Sequence, residues 1–170
     1  MGTWTNADGL HIKMGTTEGE STTRIGENNR VGGIVEHEID LVLTDVTATQ
    51  AILNDTHILP NNFFVFSMEV ITTVVATGSS ATLDVGTMQE DRTDLDANGL
   101  LAAYPLASFS VIGETALITE ASTYSGAQVG TVIAEASRLS FMTTDANLFT
   151  AGECKIILRG YCNALTNNAD

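Results

Sequence analysis

Apolar and polar residues alternate, or β-branched and aromatic residues run together, in segment after segment of this chain, with no sustained helical period between them. That pattern most limits what it can fold into, because side chains of period two belong to strands with one packed and one wet face. From Val35 onward, Val35, Ile39, Leu41 and Leu43 alternate with Glu36, Glu38, Asp40 and Val42. His37 falls on the apolar side and reads as an interior histidine without chemistry. The run 63–76 is dense in aromatic and β-branched types and reads as the central strand, with Phe64, Phe66, Met68, Val70 and Val74 on one face.

The turn Ile58-Leu59-Pro60-Asn61-Asn62 precedes that strand, since Pro fixes φ and Asn tolerates left-handed geometry. The Thr77-Gly78-Ser79-Ser80 turn follows it, and 81–88 is expected to return as the second strand of a hairpin. Further strands are expected over 106–112, 115–120, 128–134, 137–143 and 153–161. Residues 47–55 are the best helix candidate, limited to a connector by three β-branched residues and an Asn-Asp ending. About eight antiparallel strands without long helices predict an all-β sandwich; eight is the jelly-roll count, although period alone does not separate it from an immunoglobulin-like sandwich or a distorted barrel.

Residues 1–33 scatter Trp4, Leu10, Ile12, Met14, Ile25 and Val31 among Gly, Thr, Asn and Glu, and read as an extended arm. Trp4 is the strongest anchor for docking on a neighbour, with Leu10 and Ile12 beside it as partner-binding candidates, and a cap on its own domain is the equal alternative for it. The organisation expected is an arm at 1–33, a sandwich domain at 34–162 and a tail at 163–170.

Lys13 and Lys155 are the only lysines in 170 residues, so the Glu/Lys pairs that support exposed helices are missing. A formal charge of -14 makes the average surface repel phosphate, which excludes nucleic acid as an expected partner. No apolar stretch approaches the roughly 20 residues that span a bilayer, and the N-terminus lacks signal-peptide character, so no membrane is expected and synthesis is placed in the cytoplasm. Cys154 and Cys162 lie on one expected strand, roughly 26 Å apart at the usual rise per residue, too far to pair with each other.

Candidate chemistry is sparse. Asp94-Leu95-Asp96-Ala97-Asn98-Gly99 begins as a calcium loop begins, but the closing Glu of an EF-hand would fall at Pro105. Asp94, Asp96 and Asn98 thus stand as calcium candidates only if another loop completes the site. A nucleophilic triad needs a histidine base, and His11, His37 and His57 sit near no Gly-x-Ser-x-Gly elbow. Carboxylates suffice for glycosidase chemistry, yet nothing in the sequence faces two of them across a cleft. No enzymatic activity and no obligatory cofactor are expected.

The run Asp55-Thr56-His57-Ile58-Leu59-Pro60-Asn61-Asn62, the long strand after it, and Gly78-Ser79-Ser80-Ala81-Thr82-Leu83-Asp84-Val85-Gly86-Thr87 resemble small virion proteins of marine and cyanobacterial tailed phages. The opening Thr3-Trp4-Thr5-Asn6-Ala7-Asp8-Gly9-Leu10, the segment Asp94–Leu101 and the closing Phe149–Leu158 are similar to them too, so the likeness spans nearly the whole chain. The resemblance implies a jelly-roll decoration, or cement, protein on the capsid exterior, made in the bacterial host cytoplasm. Its implied partners are the major capsid protein and copies of itself, with a homotrimer favoured. The alternative is a neck-attached, tail-attached or head-fibre protein whose jelly roll binds carbohydrate, though sugar platforms use exposed aromatics and Trp4, Tyr104, Tyr124 and Tyr161 are scattered in sequence.

Overall fold

A computed structural model describes residues 2–5, 11–14, 34–53, 58–143 and 148–162. The chain divides after Gly33 into two units. In the first, β1 (Gly2–Thr5) and β2 (His11–Met14) pair antiparallel, with Trp4 opposite Ile12. Leu10 lies outside the described residues.

The second unit is a sandwich of nine strands: β3 (Val35–Val42), β4 (Ile58–Leu59), β5 (Phe63–Gly78), β6 (Thr82–Met88), β7 (Asp94–Pro105), β8 (Thr115–Ile118), β9 (Val132–Ile133), β10 (Ser137–Met142) and β11 (Phe149–Cys162). Their pairing is nested: β6 with β7, β5 with β8, β4 with β10 and β3 with β11, all antiparallel. Rolling this long folded ribbon brings β11 against β5 and β10 against β6. The result is two sheets, ordered β3-β11-β5-β8 and β4-β10-β6-β7, with β9 added to β5. This order is a jelly roll, as the count of alternating segments anticipated.

Between the sheets lie Phe63, Val65, Met68, Leu83, Val85, Leu100, Leu139, Phe141, Ile156 and Leu158, all buried. An edge-to-face chain of rings crosses the layers: Tyr124 to Tyr104 at 5.3 Å, Tyr104 to Phe109 at 5.0 Å, and Phe109 to Phe149 at 6.0 Å. His37 meets Phe63 edge-on at 5.8 Å on this inner side, where the alternation placed it.

Several local expectations are corrected. The chain does not turn back as a β5–β6 hairpin; the Ser79-Ser80 link, with Ser80 at φ 57°, carries it from one sheet to the other. Phe64, Phe66, Met68, Val70 and Val74 do not share a face. The β5–β11 register shifts between Arg159 and Gly160 and again near Cys154, and each shift by one residue exchanges inside for outside, so Met68 and Val70 are buried while Val74 is exposed. Residues 47–53 form no helix: the Thr47 hydroxyl bonds Thr49, competing locally with helical bonds, and Ala51 instead bridges Phe141. Residues 106–112 are not a strand. Leu106–Phe109 is a tight 3-10 turn whose three-residue spacing turns both apolar side chains inward, and Val111 and Ile112 are left exposed on a loop.

Two strands of this unit were not anticipated: β4, where Ile58-Leu59 was read as part of a turn and pairs instead with Arg138 and Ser137 of β10, and β7, whose first half has a turn-like composition. Its register against β6 slips between Val85 and Thr87, so that Asp96–Leu101 bulges over Gly86. A Cβ at Gly86 would stand 2.0 Å from the Asp96 carbonyl, and one at Gly126 would stand 2.2 Å from that of Asn98. The bulged backbone is held between two glycines, and those contacts, rather than β propensity, make it a strand.

Replacing Gly86 by Ala should therefore force β6 and β7 apart and cost about 3 kcal/mol or more, as overpacking against backbone does. Gly113→Ala, where nothing lies within 4 Å but φ is +82°, should cost only the left-handed strain, roughly 1 to 2 kcal/mol. Urea denaturation midpoints of the two variants would check the order.

Candidate interaction surface

The outer face of the β3-β11-β5-β8 sheet carries a group of linked ion pairs. Three acids alternate along β3 (Glu36, Glu38, Asp40) and stand opposite Arg159, Ile157 and Lys155 of β11. On the other side of β11, Ile157 faces Glu69 and Lys155 faces Ile71 of β5. Alternation thus puts two cations between flanking carboxylates.

Lys155 bonds Glu38 and lies 3.7 Å from Asp40. Arg159 reaches across two strands, donating from Nη1 to Glu69 Oε2 at 2.8 Å and approaching Glu36 with Nε at 3.5 Å. The Glu38 carboxylate holds the Lys155 ammonium above the ordinary lysine range, and Glu69 does the same for the Arg159 guanidinium. Four acids against two bases leave this stripe negative.

Apolar rows flank the stripe. Tyr161 stacks on Phe64 at 4.9 Å, and Phe64 is paired with exposed Val132. Towards the far end, exposed Val42 and Val74 lie on either side of Glu153. Exposed apolar rows beside a charged stripe are side chains that another protein surface can cover, apolar groups by burial and charged ones by pairing.

The calcium candidates lie elsewhere. Asp94, Asp96 and Asn98 alternate on β7, where residues two apart are separated by roughly 7 Å along the strand. Asp96 Oδ1 accepts from the Asn98 backbone N–H at 3.3 Å, an arrangement local to the strand. Among the described residues no three His, Cys, Asp or Glu side chains gather as ligands would. Of the histidines weighed for catalysis, His11 belongs to β2, His37 is packed against Phe63, and His57 lies outside the described residues. Tyr104 and Tyr124, scattered in sequence, are neighbours in space, but Tyr104 is buried and its phenol is pushed above the ordinary range by that burial.

Comparison with solved structures locates this architecture elsewhere. A phage capsid contains it. One chain in the capsid of Ralstonia phage GP4 superposes with a TM-score of 0.51, at 19% identity over 76% of this chain and 84% of that one. A chain of the cyanophage Pam1 capsid asymmetric unit aligns with a TM-score of 0.46, at 13% identity over 84% of this chain and 95% of that one. No family model and no curated protein sequence matches. At these identities the likeness is one of fold.

The acid ladder was readable in the sequence, since Glu36, Glu38 and Asp40 alternate; what could not be read was which strand would face them. Both cysteines lie on β11, as expected, and Cys154 is a free, buried thiol whose pKa burial pushes up to about 12. The unfolded thiol ionises near pH 8.5, so this contribution is intact below that pH and is lost as pH rises towards 12. Cys154 should resist iodoacetamide at pH 8 until the protein is denatured, as peptide mass spectrometry would show. Substituting Cys154 by Val should flatten the alkaline part of the stability curve.

Proposed function

We propose that this chain is a non-enzymatic virion structural protein, a decoration protein that binds the outside of a phage major capsid protein lattice and stabilises the head. The observation that carries this reading is the jelly-roll architecture shared with a solved phage capsid chain over 84% of that chain's length. The sequence resemblance to small tailed-phage virion proteins points the same way. So does the outer sheet face, which presents exposed apolar rows beside a charged stripe.

In this reading the partners are the capsid lattice and other copies of the chain, grouped as trimers around local symmetry axes. The paired strands β1 and β2, with Trp4 and Ile12 opposite each other, supply a second contact on a neighbouring subunit. Synthesis is in the host cytoplasm, followed by attachment to the exterior of the particle.

Electron cryo-microscopy of virions with and without this chain tests the proposal. Sandwich-shaped density should appear in trimeric clusters on the capsid, burying more than about 1,000 Å² per contact. Particles lacking the chain should release DNA at lower temperature or milder osmotic shock. Density confined to the neck or tail, with unchanged head stability, would replace the cement role by the attachment role.

A further inference from the structure

Tyr104 faces the core because β7 carries one residue more than the stretch of β6 beside it. Val85 stands opposite Leu101 and Leu83 opposite Tyr104, so two steps along β6 are matched by three along β7, with Ala102 and Ala103 sharing the place across from Asp84. In an unbroken ladder counted from Val85, Leu83 would meet Ala103, and Tyr104 would be turned to the outside. The bulge reverses this: Ala103 is exposed, while Tyr104 is 4% exposed and meets Phe109 and Tyr124 edge to face.

Such a bulge is unfavourable by itself. Ala103 sits at φ 49°, in the left-handed region where glycine is at ease and alanine is strained. Ala102 donates its N–H away from β6, to Tyr124 O at 2.9 Å, and the Ala103 N–H points back toward β6, where a buried side chain receives it. Asp84 is 0% exposed, and its Oδ1 accepts from the Ala103 N–H at 2.7 Å, a short bond for an amide donor. The carboxylate stands where a strand carbonyl would.

We infer that Asp84 is a latch on the register of β7: by capturing the Ala103 amide it holds the bulge in its left-handed form, and so fixes which face Tyr104 takes. The Leu106–Phe109 turn starts from the same register, since Leu106 N–H donates to Ala81 O at 2.9 Å, one step beyond the Thr82–Pro105 pair. With the latch released, β7 slips by one residue from Ala103 onward, Ala103 replaces Tyr104 against Leu83, and the ring chain from Tyr124 to Phe149 breaks at Tyr104. The device lies within the sandwich and is independent of whether the chain decorates a capsid.

If burial of the Tyr104 ring alone set the register, the strain at Ala103 would be the same with and without Asp84; if Asp84 holds the bulge, the two positions are coupled. A double-mutant cycle in the full chain, read by urea denaturation, separates these cases. Ala103→Gly, at an exposed position, should raise the folding equilibrium constant about fivefold in the native background, because it removes the left-handed penalty. In the Asp84→Val background the backbone is free to leave that geometry, and the same glycine should change the constant by less than about twofold. Amide exchange followed by NMR gives a second measure. The Ala103 amide, although on an exposed residue, should be protected in the native chain and should exchange about tenfold or more faster in Asp84→Val, relative to the amides of the β5–β11 ladder.

Three results would overturn the inference: the same effect of Ala103→Gly in both backgrounds, an unprotected Ala103 amide in the native chain, or an Ala103→Gly variant no more stable than the native protein. The last two leave Asp84 in place, so they decide the matter even where Asp84→Val does not fold.

Discussion

The antiparallel ladder between β5 and β11 holds the sandwich together. It joins Phe63–Gly78 to Phe149–Cys162, so its first contact closes a loop of most of the domain. Loop closure costs entropy before any ladder bond repays it, which makes such a pairing slow to form and dependent on apolar burial along its length. That burial is supplied on the inner side by Val65, Met68 and Val70 against Ile156 and Leu158. Once the two strands are paired, β3 and β8 have fixed edges to join, and the second sheet is carried over the first by the Ser79-Ser80 link and the return through Leu106–Phe109.

Strand existence was legible for the longer strands whose own composition was apolar or β-branched, though not for the two-residue β4 beside Pro60. Seven of the eight anticipated segments overlap observed strands, because burial selects Val, Ile, Phe and Leu at those places. The misses share a physical cause: tertiary contact overrode local signal. β7 begins with Asp94, Asp96 and Asn98, residues that favour turns, and it is a strand because two glycines let other backbones lie against it. The segment 106–112 is apolar without alternation, and its spacing fits a tight turn over the core. Side-chain facing in β5 was misjudged for another reason, since bulges are written in the partner's register and not in the strand's own residues.

For the interaction surface, the positions of charges were visible but their partners were not. Glu36, Glu38 and Asp40 announced an acidic face, whereas Lys155 and Arg159, more than a hundred residues later, became its counterions only through the nested pairing of the jelly roll. The alternate oxygens of Asp94, Asp96 and Asn98 were equally visible in the sequence, and they fall on β7.

The same electrostatics bear on how copies of the chain meet. Charge along a strand is one of the ways proteins blunt indiscriminate pairing. On the outer face of β3 the carboxylates of Glu36, Glu38 and Asp40 are all of one sign and the chain carries -14 overall, so like surfaces oppose each other. Because Asp40 is largely exposed, that opposition is screened by salt and weakens as ionic strength rises.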